Sequence, residues 1–223
     1  MNWQALRLTA ELASLTSLIL MVLGIPVALW VTFSRRRWKF LAESVVALPI
    51  VLPPTVLGFY LLVGFGSDSP LGRWYQHLTG STLAFTFSGL VIASVLYSLP
   101  FAVHPMVAGF RGVDQKLMAA ARTLGAGKYK IYSTIVLPLA WPSLVTGLVL
   151  SFAHTVGEFG VVLMVGGNIP GATRTLSIDI YDQVEALNYR SANSTALILL
   201  IFSYLLLCIV YSLNQKLGLW GTR

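Results

Sequence analysis

Long apolar runs alternate with short polar segments along the whole chain. Apolar runs of about 18 residues or more predict transmembrane helices, because about 20 helical residues are needed to cross about 30 Å of hydrocarbon. Five such runs predict five spans: Leu12–Phe33, Val45–Phe65, Leu83–Val103, Leu139–Val165 and Thr195–Leu213. We therefore expect an all-α integral membrane protein whose residues 1–223 form a single domain.

The composition agrees with this pattern. Hydrophobic residues make up 56% of the chain and charged residues only 10%, against about 25% charged in an ordinary soluble domain. Arg35–Arg36–Arg37 follow the first run and resemble a stop-transfer signal, so we expect that run to stay as a helix rather than to be removed as a signal peptide. The one cysteine, Cys208, lies in the last run, which excludes a disulfide within the chain and a cysteine-based metal site.

The basic residues are distributed unevenly between the two sides of the predicted membrane domain. Cytoplasmic segments of membrane proteins carry the excess of Lys and Arg. With five spans, the distribution predicts an external N-terminus and a cytoplasmic C-terminus. Eleven basic residues then lie inside, namely Arg35, Arg36, Arg37, Lys39, Arg111, Lys116, Arg122, Lys128, Lys130, Lys216 and Arg223, and four lie outside, namely Arg7, Arg73, Arg174 and Arg190. The net charge of +7 mostly reflects this bias, and no basic face of a soluble domain indicates nucleic-acid binding.

Two polar segments lie between spans on the predicted outer side. Gly66–Thr82 is the first, and Gly166–Ser194 is the second. The second segment has Gly/Pro turns, followed by a short helix predicted near Ile178–Leu187.

The longest predicted cytoplasmic loop, Arg111–Leu137, has helix start and stop signals. Asp114 is suited to cap the N-terminus of a short helix, and Gly125–Ala126–Gly127 is suited to end it, since glycine adopts the left-handed C-cap conformation. Between these signals, apolar residues at helical spacing predict one small apolar face, made of Leu117, Ala120, Ala121 and Leu124.

A second short helix is predicted to start near Lys128. Tyr132, Ile135 and Val136 would share one of its faces. Pro138 is then expected in the first turn of the next span, where its missing N–H has no helical partner to lose.

The physical pattern of the loop leaves two interpretations open. Its small alanine face, ringed by Arg and Lys, fits docking into a cleft on a second protein, and it equally fits a helix lying on anionic lipid. A phosphate-binding loop at "GAGK" is excluded, because Arg122 and Tyr129 stand where that pattern requires Gly and Ser or Thr.

The stretch "AAARTLGAGKYKIYSTIVLP" resembles the EAA loop of the membrane subunits of bacterial ABC importers. That motif reads roughly E-A-A, three residues, G, nine residues, I, x, L-P. It is matched by Ala120, Ala121, Gly125, Ile135, Leu137 and Pro138, while Ala119 stands in place of the leading Glu. The resemblance implies the ABC importer permease fold and a coupling helix that docks on a separate cytoplasmic ATPase subunit. The implied coupling residues are Ala119, Ala120, Ala121, Arg122, Leu124, Gly125, Gly127 and Lys128.

Two further stretches narrow the family. "VGEFGVVLMVGGNIPGATRTLSIDIY" (Val156–Tyr181) and "ALPIVLPPTVLGFYLL" (Ala47–Leu62) look like the molybdate-type permeases. The related sulfate and thiosulfate permeases usually have Tyr at the position of Phe159. The resemblance covers essentially the whole chain and implies import of molybdate or a similar oxyanion, with sulfate, thiosulfate and tungstate as alternatives.

The resemblance also implies partners. We expect a homodimer, two ABC ATPase subunits docked below it and an oxyanion-binding protein docked outside. ATP and Mg²⁺ would be used by the ATPase subunit, so we expect no cofactor on this chain and no enzyme activity of its own.

Two groups of residues inside the predicted spans are candidates for the pore or its gate. His154 and Glu158 are spaced to share one face of the fourth predicted span, where they line the pathway or form a buried structural pair. Pro53 and Pro54 lie in the middle of the second span and should kink it. With Thr55 and Gly58 they either line the pore or mark a packing kink.

Two other classes of function fit less well. An ion-driven secondary transporter would show inverted repeats and more ionisable residues at mid-depth. An intramembrane enzyme would need a nucleophile–base set or a set of metal ligands, which His154 and Glu158 alone do not supply.

Overall fold

The computed structural model describes residues 2–216, and every regular element within them is helical. One short segment, Tyr132–Val136, is π-helical. The helices are α1 (Trp3–Phe33), α2 (Lys39–Val51), α3 (Pro54–Phe65), α4 (Pro70–Thr79), α5 (Phe87–Arg111), α6 (Gln115–Thr123), α7 (Lys128–Ile131), α8 (Leu137–Leu139), α9 (Trp141–Gly157), α10 (Gly160–Gly166), α11 (Leu176–Glu185) and α12 (Tyr189–Lys216).

Five segments of the described chain are candidates to cross a membrane, and two of them are bent. The unbroken helices α1, α5 and α12 are long and apolar enough on their own. The other two candidates are helix pairs, α2 with α3 and the helical stretch Lys128–Leu139 with α9. The count agrees with the five predicted spans when each bent pair is taken as one.

The helix α1 runs through the centre of the bundle and is longer than predicted. It begins at Trp3 rather than Leu12, because the Asn2 side chain accepts a hydrogen bond from the Ala5 N–H and caps the helix. Its last residue, Phe33, is the predicted one. The extra turns carry Arg7 and Glu11, which form an exposed ion pair at 2.7 Å.

The core forms where α1, α5 and α9 pack together. It has two clusters, one at each end of α1. The first half of α1 contributes Leu8 and Leu12 to one cluster, together with residues of α5 and α10. The second half packs with Phe110 of α5 and Leu144 of α9, close to the polar loop that contains α6. We call this second end, where α1 and α5 finish, the basic end, and the other the opposite end.

The second predicted span is broken rather than kinked. The axes of α2 and α3 differ by 112° across Leu52 and Pro53. Two consecutive prolines explain the break, because Pro53 and Pro54 both lack the N–H that a continuous helix would need. Each half is about 18–20 Å long at 1.5 Å per residue, so neither crosses about 30 Å of hydrocarbon alone.

The third predicted span is displaced towards the basic end. The helix α5 starts at Phe87 and continues to Arg111, eight residues beyond the predicted end at Val103. Pro100 and Pro105 are accommodated inside it. Its last residue, Arg111, donates to Glu43 Oε1 at 2.9 Å and ties α5 to α2.

The prediction of one continuous helix over Leu139–Val165 is wrong. Helix α9 ends at Gly157, Glu158 has extended backbone, and a separate short helix, α10, starts at Gly160. The apolar pattern alone favours one helix across this break. Gly157 and Gly160 flank it, and glycine is a weak helix former, but it is tolerated in membrane helices.

The opposite end carries two short helices. The structure places α11 within two residues of the predicted helix near Ile178–Leu187. The helix α4 was missed, although its signals are present: Ser69 caps it, Pro70 opens it, and Gly80 ends it with φ 72°.

Candidate coupling segment and membrane pathway

The short helix α6 begins and ends as its sequence predicts. The Asp114 carboxylate accepts a hydrogen bond from the Lys116 N–H at 2.8 Å. At the other end Gly125 has φ +82°. The Ala126 N–H donates to the Ala121 carbonyl and the Gly125 N–H to the Arg122 carbonyl, which together form a Schellman C-cap. Gly127 differs from the prediction, since its φ of −68° is ordinary and it precedes α7 as its N-cap.

The two faces of α6 have different neighbours. Met118 is buried, and Ala121 packs beside it against the core at the basic end. Three of the four residues predicted to form one apolar face are directed away from the protein: Leu117 is 49% exposed, Leu124 is 88% exposed and Ala120 is also exposed. These three residues form a contiguous exposed apolar face, which is suited to contact another surface.

Cationic side chains flank this exposed face. Arg122 precedes Leu124, and Lys128 and Lys130 follow the glycines. Tyr129 between the two lysines is 86% exposed. We define the coupling segment as residues 114–130, which present an apolar centre with a basic rim.

The chain continues from the coupling segment as one bent helical stretch. The side chains predicted to share a face do so, since Val136 is buried and Tyr132 and Ile135 pack on the core at the basic end. Pro138 was predicted in the first turn of the next span, and it is the second residue of α8, although helical structure precedes it. Pro138 lies inside the stretch Lys128–Leu139, which meets α9 at an angle of 68°. The π-helical segment just before Pro138 changes the hydrogen-bond register, as expected where a proline cannot donate.

The two chain breaks inside the membrane domain lie against each other. A Cβ added to Gly160, at the start of α10, would lie 2.8 Å from Pro54 Cβ. A Cβ added to Gly58 of α3 would lie 2.8 Å from Met164 Cβ on α10. The glycines therefore allow α3 and α10 to approach closely. Gly58 is buried in this contact, whereas Pro53, Pro54 and Thr55 are exposed.

His154 belongs to a polar cluster between α9 and α5. Its Nδ1 lies 2.9 Å from Ser98 Oγ, which also lies 2.9 Å from Thr155 Oγ1. The imidazole stacks on Phe101, with ring centroids 3.9 Å apart. Ser98 was not predicted as a residue of this site. A serine inside an apolar run was the signal that could have identified it.

Glu158 does not share a helix face with His154, because α9 ends one residue before it. Its side chain is 3% exposed, and neither carboxylate oxygen has a hydrogen-bond partner in the structure. Ser94 Oγ on α5 is buried as well and is a polar neighbour of the carboxylate, without a well-formed hydrogen bond to it. The Glu158 backbone carbonyl accepts from Ser177 Oγ at 2.5 Å, so the break is anchored to α11. A buried carboxylate with so few polar partners is costly.

Besides Arg7, three arginines lie at the opposite end, and they differ in their contacts. Arg174 is held by Asn168 at 2.7 Å and by Asp182 at 3.4 Å. Arg73 and Arg190 are exposed. In the described part of the chain, no group of three or more His, Cys, Asp or Glu side chains could hold a metal ion.

Residues 21–217 match the family described as "Binding-protein-dependent transport system inner membrane component". The chain belongs to this family. It is 52% identical to the molybdenum transport system permease protein ModB of Azotobacter vinelandii over 96% of both chains. It is 40% identical to ModB of Escherichia coli K12 over 82% of this chain and 80% of that one. A probable sulfate transport system permease protein, cysT of Chlorella vulgaris, is 32% identical over 92% of this chain and 77% of its own.

Solved structures show the same fold at low sequence identity. A chain of the MetNI methionine ABC transporter matches with a TM-score of 0.75 and 17% identity, over 100% of this chain and 97% of that one. A chain of a bacterial alginate ABC transporter, solved with a periplasmic protein that carries alginate pentasaccharide, matches with a TM-score of 0.75 and 16% identity. The match covers 96% of this chain and 78% of that one. The predicted ABC importer permease fold is confirmed.

Proposed function

We propose that the chain is the pore-forming permease subunit of an ATP-driven importer that moves molybdate across the cytoplasmic membrane. The identity of 52% with the Azotobacter vinelandii molybdenum permease over nearly the full length of both chains carries the choice of substrate. Sulfate is the second candidate, supported by the 32% identity with the probable sulfate permease. Tungstate, which nearly shares the charge and size of molybdate, is expected to compete.

The coupling segment is proposed to dock on a separate ATPase subunit. Its exposed apolar centre at Leu117, Ala120 and Leu124 supports this, because the core of an interface is apolar and its rim polar. ATP and Mg²⁺ then act in the ATPase subunit, and this chain binds neither. The positive-inside bias favours a cytoplasmic position for the segment, with the N-terminus outside.

The pathway is proposed to lie on the two-fold axis of a homodimer, beside the break between α2 and α3. Irregular backbone at membrane depth is tolerated where it is covered by protein or lines a water-filled cavity. Pro53 and Thr55 are exposed in the single chain, so a second copy would cover this break or share a cavity with it. Glu158 is buried away from the surface, which suits an anion pathway that should present no bare carboxylate.

Transport would follow alternating access between two states. ATP binding closes the ATPase pair, which draws the coupling segments together and opens the pathway outward to a substrate-loaded binding protein. Hydrolysis reverses the change. Conduction needs weak binding, so we expect selectivity to reside mainly in the external binding protein.

Replacement of Leu124 by Asp tests the coupling proposal. The substitution places a charge at the centre of the apolar face without touching the core, since Leu124 is 88% exposed. We expect the ATPase subunit to be lost on affinity purification of the solubilised permease and molybdate uptake to fall by at least tenfold, because a buried unpaired charge at an interface costs several kcal/mol.

Leu71→Asp is the matched control, since Leu71 is 48% exposed on α4 at the opposite end. It should retain the ATPase subunit. Retention of the subunit by Leu124→Asp, with normal uptake, would contradict the docking proposal. Uptake competition among molybdate, tungstate and sulfate with the native binding protein tests the substrate.

A further inference from the structure

A cavity at the basic end lies between the end of α1 and the coupling segment. Its volume is about 1170 Å³. Five cationic side chains from three stretches of chain line it, together with Phe33, Met118 and Tyr132. The cations are Arg35, Arg36, Lys116, Arg122 and Lys128.

The charges in this basic cavity are not balanced by the protein. Within residues 2–216, no carboxylate side chain lines the cavity, and none of the five cations has a salt bridge. The nearest acid in sequence, Asp114, uses its carboxylate to cap α6. Like charges gathered in one concave site raise the local potential and attract an anion.

The wall of the cavity is ordered and partly apolar. Phe33 and Tyr132 stack with ring centroids 5.4 Å apart, and Met118 beside them is 4% exposed. Ser34 Oγ accepts from the Arg36 N–H at 3.2 Å and fixes the turn that carries the two arginines. The cavity thus combines cations with an aromatic surface, which suits a ligand with both a charged and an apolar part.

The end of α1 beside the cavity has residues that are typical of a membrane–water interface. The membrane-spanning helix α1 ends at Phe33, on the cavity wall. Trp30 and Trp38 on either side of this end are 42% and 75% exposed, and exposed tryptophans concentrate at membrane–water interfaces. The volume is far larger than a single tetrahedral ion requires, and it has room for a phospholipid headgroup with its glycerol.

We propose that this cavity binds the phosphate of an anionic phospholipid headgroup, with Arg35 and Arg36 on one side and Lys116 on α6 on the other. Basic pockets between membrane helices on the cytoplasmic side are suited to such headgroups. A bound lipid would join the end of α1 to the coupling segment and screen the repulsion among the five cations. The apolar residues of the docking face, Leu117, Ala120 and Leu124, do not line the cavity, whereas Arg122 and Lys128 border both.

The test is native mass spectrometry of the full-length permease in detergent with added phosphatidylglycerol, and with phosphatidylcholine as the zwitterionic comparison. We expect wild type to retain phosphatidylglycerol in preference to phosphatidylcholine. Arg35→Gln/Arg36→Gln should bind phosphatidylglycerol roughly thirtyfold more weakly, since each basic residue near an anionic headgroup contributes about a factor of five. Lys116→Gln should lower the affinity about fivefold.

Arg37→Gln/Lys39→Gln is the matched control. It removes the same charge from the residues that directly follow, but neither residue lines the cavity, so its affinity should stay near that of wild type. Equal loss in the control would overturn the proposal, because it would show non-specific attraction. Displacement of the lipid by millimolar inorganic phosphate or molybdate would also overturn it, in favour of a free-oxyanion site.

A further measurement separates lipid binding from docking on the ATPase subunit. Lipid binding is measured without the ATPase subunit, and ATPase retention is measured on the same variants. One outcome overturns the lipid site: wild type shows no lipid preference, and Arg35→Gln/Arg36→Gln loses the ATPase subunit. The cavity would then be assigned to contact with an acidic surface of the ATPase. Thermal unfolding and size-exclusion profiles equal to those of wild type establish that the variants are folded.

Discussion

Gly125 and Gly127 differ in backbone conformation but not in surroundings. No atom lies within 4 Å of a Cβ added at either position, yet φ is +82° at Gly125 and −68° at Gly127. We expect Gly125→Ala to cost about 1–2 kcal/mol locally, because a Cβ is disfavoured in the left-handed region, and Gly127→Ala to be neutral.

Hydrogen exchange of the amides of residues 115–126 measures this difference. Exchange should accelerate by at least fivefold in Gly125→Ala and stay unchanged in Gly127→Ala. If both variants behave alike, the Schellman cap does not hold the end of α6.

The carboxyl group of Glu158 has a consequence for stability. A carboxylate buried without partners is unfavourable, and its amide has the same shape without the charge. We expect Glu158→Gln to leave the unfolding temperature in detergent equal to that of wild type or a few degrees higher.

Glu158→Ala should lower the unfolding temperature, since it leaves a cavity beside α5. A marked drop for Glu158→Gln would show that the carboxylate has a stabilising partner in the folded protein. That result would contradict the unpaired arrangement of the carboxylate.

At the scale of the elements, the break between α2 and α3 is imposed by two consecutive prolines. Pro53→Ala/Pro54→Ala restores both N–H groups, and we expect α2 and α3 to become more nearly continuous and to lose the contact of Pro54 with Gly160. Molybdate uptake should fall by at least tenfold while insertion into the membrane persists.

Pro49→Ala is the comparison for this variant, because Pro49 lies within α2 and the helix continues past it. It should retain uptake within about twofold. Distances between spin labels on α2 and α3 would show directly whether the bend of 112° relaxes. An unchanged distance would mean that packing on α10 imposes the bend.

Most helices are predictable from the sequence because apolar runs and cap residues act locally. Asp114 and Gly125 delimit α6 through hydrogen bonds within a few residues, so both ends of this helix can be recognised from the sequence alone. The break at Glu158 was not predicted, because it depends on contacts with α11 and α3 that lie far away in the sequence. The cavity at the basic end was missed for the same reason, since Arg35 and Lys116 meet only through folding.

At the scale of the whole molecule, the proposed homodimer places Thr55 of the two copies near one axis. In a Cys208→Ser background, Thr55→Cys should form a disulfide-linked dimer in membranes on mild oxidation. Leu200→Cys, 66% exposed on the peripheral helix α12, should stay monomeric on a non-reducing gel. Preferential crosslinking through Leu200→Cys would place the dimer interface on the other side of the bundle.

The helix α1 connects the two ends of the protein. At the opposite end, Thr9 Oγ1 accepts from the Leu176 N–H at 2.9 Å and Asn2 donates to Asp179 at 2.9 Å, so α11 is fastened to its first turns. At the basic end, Phe33 stacks on Tyr132 next to the coupling segment. Its 31 residues form a rod about 46 Å long, and a tilt of about 5° displaces one end by about 4 Å relative to the other. A small movement at the basic end can therefore reach the opposite end through α1, which remains one continuous helix past Pro26.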